Sequence, residues 1–176
     1  YTGVTDNAPL KGGKLTQFEG GINVPFIFKW KNHFPQNSTY SKPISSLDIF
    51  TTVAAATNTA LPNDRIIDGV NLIPYLNNEN QNNPHDKLYW RVDHVHVIRK
   101  GDYKLIYSSR DKWKELYDLK NDKSEKNNLL KQMPEKAEEL DKDLKEWENT
   151  LPVKPMWPRI MDYRFIIDGK PYLFPA

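Results

Sequence analysis

The chain contains no cysteine. Disulfides, thiolate metal sites and a cysteine nucleophile are therefore excluded within its 176 residues. It has no long apolar run either: nothing approaches the roughly 20 residues that a membrane-spanning helix needs. An excess of one charge is also lacking. Twenty-five basic and 23 acidic side chains leave a net charge of +2, too little to steer nucleic acid or anionic lipid. Neither nucleic acid nor membrane is expected as a partner. Tyr1-Thr2-Gly3-Val4 shows neither an initiator Met nor the basic-then-apolar pattern of a signal peptide, so residue 1 is expected not to begin the gene product.

Glycine is scarce and unevenly placed. Five of the eight glycines fall within residues 1–21, which predicts a loop that turns sharply or approaches something closely. Ile22–Trp30 reads as a strand buried on both faces, with Val24, Phe26, Ile27, Phe28 and Trp30 in near-continuous apolar order. Ser45-Ser46-Leu47-Asp48 opens a helix carrying Leu47, Phe50, Val53 and Ala54 at helical spacing. Asn77–Pro84, almost all Asn and Gln, is an exposed loop and a subdomain boundary. Beyond it, Leu88–Val92, the hairpin His96–Arg99 to Tyr103–Tyr107 with Gly101 in its turn, and Trp113–Leu119 read as strands. Pro134 opens a helix whose Ala137, Leu140, Leu144, Trp147 and Leu151 share one face. The tail from Pro152, with five prolines and five aromatics, reads as an extended arm.

The sharpest chemical signal is Lys11-Gly12-Gly13-Lys14 followed by Phe18-Glu19-Gly20-Gly21. Glycines let a backbone lie against a ligand, and a lysine among them places a point charge on an anion. It is not a phosphate-binding Walker loop, because neither the spacing nor a following Ser/Thr fits. On physics alone a plain loop is the commoner outcome, and Lys14 could simply pair with Glu19.

These motifs, followed by Val24-Pro25, resemble the segment carrying the active-site lysine of formylglycine-dependent sulfatases. The likeness continues in order through Ser46–Phe50, Asp64-Arg65, Ile67–Leu72, Arg99–Ile106, Glu115–Leu119, and Asn121-Asp122 with Glu125–Leu129. It covers roughly residues 8–150. It implies an α/β, alkaline-phosphatase-like fold: residues 1–84 as the end of the large mixed-sheet domain, 85–151 as a small antiparallel α+β subdomain, and 152–176 as a tail. It implies sulfate ester hydrolysis, of a sulfated small molecule or saccharide, with Lys14 as the catalytic residue that holds the sulfate. Formylglycine and a calcium ion are implied as cofactors, but both are expected outside this chain, in an N-terminal sulfatase portion that acts as its partner. No Cys/Ser-x-Pro/Ala-x-Arg motif occurs here, and no metal ligand is assigned. Thr5-Asp6-Asn7-Ala8 is only partly like the family's metal motif, so Asp6 and Asn7 are read as turn formers. The chain alone is expected to be inactive. A periplasmic, secreted or lysosomal location is implied.

Of the four histidines, His33 and His85 sit in polar loops and are read as surface residues. His94 and His96 flank Val95 in a strand-like stretch and should share a face. Arg91, His94 and His96 are the candidate substrate-binding residues, set against a half-buried pair on a sheet edge. Trp90, Trp113 and Trp157 are candidates to stack on sugar, set against ordinary packing. Two other functions stay open: a phosphonate or phosphodiester hydrolase of the same superfamily, and a non-catalytic carbohydrate-binding or interaction module.

Overall fold

A computed structural model describes residues 6–151 and 161–175. The chain divides into two compact units, one of residues 26–86 and one of residues 1–25 together with 87–176. The Gly-rich segment therefore belongs with the second half of the chain. A short helix, α1 (Glu19–Ile22), follows its loop.

In the unit of residues 26–86, α2 (Asp48–Ala56) and the single turn α3 (Ile73–Leu76) are the regular elements. The expected helix is present and Ala54 is buried as expected, but the rest of its inward side is polar, made by Asp48, Thr51 and Thr52. Buried Asp48 accepts hydrogen bonds from the backbone N–H of Ser45 (2.7 Å) and of Val70 (2.9 Å). Thr51 Oγ1 donates to the Val70 carbonyl at 2.6 Å. The apolar residues Leu47, Phe50 and Val53 remain 54–57% exposed. His85 is not a free surface histidine: its Nε2 lies 2.8 Å from Asp48 Oδ1 and its side chain is only 10% exposed. A buried carboxylate needs partners, and His85 is one of them.

The predicted strand over residues 22–30 does not form. A strand exists only where a neighbour takes its backbone N–H and C=O groups, and among the described residues none does. Ile27 is 89% exposed.

The other unit is built on an antiparallel sheet in the order β1 (Lys87–Val92), β2 (Val95–Lys100), β3 (Tyr103–Ser108), β4 (Lys114–Asp118). Its two faces follow the period-2 alternation of the strands. One face carries Ile98, Leu105 and Leu116, covered by Ala137, Leu140 and Leu144 of α4 (Pro134–Glu148). Trp147 stacks on Tyr89 at 4.7 Å. Burying each such leucine contributes roughly 1.5–3 kcal/mol. The opposite face carries Val95, Val97, Ile106 and Tyr117, and packs with Phe18 and with a second sheet, the hairpin β5 (Asp162–Ile167) and β6 (Lys170–Pro175). The tail is thus not a plain extended arm. Phe165, Ile167, Tyr172 and Phe174 alternate inward along the hairpin and enter the core. Residues 152–160, with Trp157, lie outside the described residues.

Candidate functional site

Lys14 stands on a turn whose two ends are tied down. The Thr16 N–H donates to the Gly13 carbonyl at 2.9 Å, and Thr16 Oγ1 donates to the same oxygen at 2.8 Å. Lys14 and Leu15 are the central residues of this turn. Leu15 has φ 78°, a left-handed value that costs a side-chain-bearing residue about 1–2 kcal/mol. Its side chain packs against the core cluster, which holds it there. The base of the loop closes through the Gly20 N–H donating to the Lys11 carbonyl at 2.8 Å. Gly21 is required by close approach: a Cβ there would lie 2.0 Å from the Thr16 carbonyl oxygen and 2.5 Å from that of Gly13.

The charged residues on either side of Lys14 are buried and fully engaged. Lys11 donates to the hydroxyls of Tyr117 (2.8 Å) and Tyr172 (3.2 Å), approaches Glu115 at 3.4 Å, and lies 4.3 Å from the centre of the Phe18 ring. Both phenols in turn donate to Glu115, Tyr117 at 2.7 Å and Tyr172 at 2.9 Å. Lys170 reaches the same carboxylate. Burial pushes the Glu115 carboxyl up, but Lys11, Lys170 and the Tyr117 hydroxyl outweigh it and hold the group below its ordinary value. Burial, then the Glu115 charge, drives both phenols well above theirs.

On the far side of Lys14, Glu19 is bound to Lys104 at 2.8 Å, and Lys104 also lies 2.9 Å from Glu125. Glu125 accepts the Glu19 backbone N–H at 2.7 Å. Burial raises the Glu125 carboxyl above its ordinary range, and Lys104 offsets only part of this. Glu19 therefore does not pair with Lys14. Lys14 is exposed, with no hydrogen-bond or ion-pair partner among the described residues.

The other sequence candidates are spread over both faces of the sheet and the β1–β2 turn. Arg91 and His96 are cross-strand partners, on the sheet face that α4 covers. His96 Nδ1 meets Glu148 of α4, its Nε2 lies 3.2 Å from Ser109 Oγ, and its ring stacks on Tyr107. His94 is not in the strand but in the β1–β2 turn, so the expected shared face is not found. It is buried between Asp93, Asp111 and the Leu173 carbonyl of β6. Trp90 and Trp113 pack against the core cluster. The buried roles of Lys11, Lys104, Glu115 and Glu125 escaped sequence reasoning. Their only signal was that each lies in or beside a motif that resembles those of sulfatases.

The family pattern described as "N-sulphoglucosamine sulphohydrolase, C-terminal" matches residues 13–151. The chain belongs to the sulfatases. Steryl-sulfatase of Homo sapiens is 42% identical over 83 residues, which is 47% of this chain and 14% of that protein. N-acetylgalactosamine-6-O-sulfatase of Bacteroides thetaiotaomicron is 30% identical over 152 residues, 78% of this chain and 30% of that one. The crystal structure of Ps i-CgsB in complex with k-i-k-neocarrahexaose superposes with a TM-score of 0.70 at 28% identity, covering 81% of this chain and 32% of that one. The sulfatase chain therefore has the alkaline-phosphatase-like fold of its structural neighbours, and spans less than a third of each of these relatives.

Proposed function

We propose that the chain is the C-terminal part of an enzyme that hydrolyses sulfate esters of carbohydrates, with Lys14 as the residue that holds the sulfate. The observation that carries this reading is the contrast within one loop. Lys11 and Glu19 are buried and engaged, whereas Lys14 is exposed, without a partner among the described residues, on a turn pinned on both sides. A cation on a held backbone, facing solvent and with no counter-ion among the described residues, suits an anionic group brought to it. Its ammonium would offset the charge that grows on the sulfate oxygens as the ester bond breaks. The carbohydrate follows from the names of an N-acetylgalactosamine-6-O-sulfatase and of a structure holding neocarrahexaose.

Calcium and formylglycine are assigned, on the family resemblance, to sulfatase sequence outside this chain. The same outside portion is the expected cover for Leu47, Phe50, Val53 and Ile27, which this chain leaves exposed. No helix among the described residues is long and apolar enough to cross a membrane. We assign the protein to a periplasmic, secreted or lysosomal compartment, and fractionation with cytosolic markers would overturn that.

Lys14→Ala in the complete sulfatase tests the central reading. Its kcat/KM on a sulfated saccharide should fall by about 10²-fold or more, the scale of losing one preorganised charge-stabilising donor, with the melting temperature unchanged. Lys14→Arg should keep stability and recover little activity. Near-normal turnover by Lys14→Ala would show that the lysine is only a mark of the fold.

A further inference from the structure

The residues matched to the family end at 151, yet the β5–β6 hairpin beyond them packs against the loop that carries Lys14. Phe18, four residues after Lys14, meets Tyr172 edge-on at 5.2 Å and Phe174 at 5.7 Å. Lys11, three residues before it, donates to the Tyr172 hydroxyl. Glu115 joins the two parts: it accepts from Tyr172 and takes Lys170 on one side, and faces Lys11 on the other. Lys11, Glu115 and Tyr172 are each at most 8% exposed. In so dry a setting the cation and carboxylate hold each other firmly only while both phenols satisfy their remaining hydrogen bonds.

We propose that the β5–β6 hairpin is a positioning element of the active site, and that Tyr172, acting through Lys11 and Glu115, sets where Lys14 stands. The proposal rests on the reading of Lys14 as the sulfate-holding residue. The Gly20 N–H to Lys11 carbonyl bond makes Lys11 one foot of a closed loop, so a shift of Lys11 moves the turn at residues 13–16 as a body. A small displacement of a charge-stabilising group is costly because its field must fall where charge develops.

The test is a double-mutant cycle in the complete sulfatase, with 4-nitrophenyl sulfate as the probe. Tyr172→Phe removes one hydroxyl and keeps the ring on Phe18. It should lower kcat/KM about tenfold in the otherwise unchanged enzyme, and by less than about twofold in the Lys14→Ala background, because the residue it positions is gone. Phe174→Leu is the second variant, should Tyr172→Phe fail to fold. It loosens the ring contact, leaves the charges alone, and should couple to Lys14 in the same direction. Equal losses in both backgrounds would show a purely structural hairpin and overturn the proposal. So would full activity of Tyr172→Phe beside an inactive Lys14→Ala, with the functional reading left standing. Full activity of Lys14→Ala would remove both.

Discussion

Lys11 and Lys14 lie three residues apart in one Gly-rich loop and meet opposite environments. Lys11 is shut in with two phenols and a carboxylate, and Lys14 faces solvent with no partner among the described residues. Removing a group of the first kind should damage the fold, and removing the second should damage only the chemistry. Lys104 shows the first case most clearly. It is fully buried between Glu19 and Glu125. Lys104→Met would remove the cation that Glu19 and Glu125 share and leave Glu19 the more distant Arg99 at 4.0 Å, a change that costs about 3–5 kcal/mol when one partner of a buried pair is lost. We expect urea unfolding of the complete enzyme to show a loss of that size, partly restored by adding Glu125→Gln. A Lys104→Met enzyme as stable as its parent would mean that water reaches this group of charges.

At the scale of elements, the hairpin and the four-stranded sheet are joined through a carboxylate, and this gives the joint a direction in pH. The folded Glu115 carboxyl lies below its ordinary value. As pH falls, the unfolded chain therefore takes up the proton first. The stabilisation is complete above the ordinary carboxylate value of about 4.3, and it fades as pH drops through the lower folded value. Glu125 has the opposite sign: its carboxyl is raised by burial, so acid relieves a cost there. The protection factors of amides in β5 and β6 should fall as pH drops below about 4.3, and Glu115→Gln should flatten that dependence. An unchanged pH dependence in the Glu115→Gln protein would assign the acid sensitivity to other carboxylates, such as Asp141 and Asp143 of α4, which lysines also hold below their ordinary values.

For the whole molecule, Asp48, Thr51, Thr52 and Ala54 form the inward side of α2, while Leu47, Phe50 and Val53 face outward. An apolar face of this kind is expected to be covered by the rest of the sulfatase. Residues 1–176 prepared alone should therefore self-associate in light scattering and release no 4-nitrophenol from 4-nitrophenyl sulfate above buffer. A monodisperse monomer that turned over the ester would contradict both the partner and the placement of the nucleophile outside this chain.

The run from β1 to α4 was legible in the sequence because it depends on local rules. The aromatic and aliphatic residues of Tyr103–Tyr107, a glycine between Lys100 and Asp102, and Pro134 ahead of Ala137, Leu140 and Leu144 each act within a few residues. The order of the sulfatase motifs marked the Lys14 loop for the same reason, since it is carried by short strings. Tertiary structure alone decided the rest. Ile22–Trp30 has strand residues but no strand, since a ladder needs a neighbour that these residues cannot encode. Lys11 and Lys14 look alike in sequence, and which one is buried was set by Tyr117 and Tyr172, 106 and 161 residues away. Glu19 could have paired with nearby Lys14 and instead took Lys104, 85 residues on, because burial rewards the cation that is already desolvated among carboxylates.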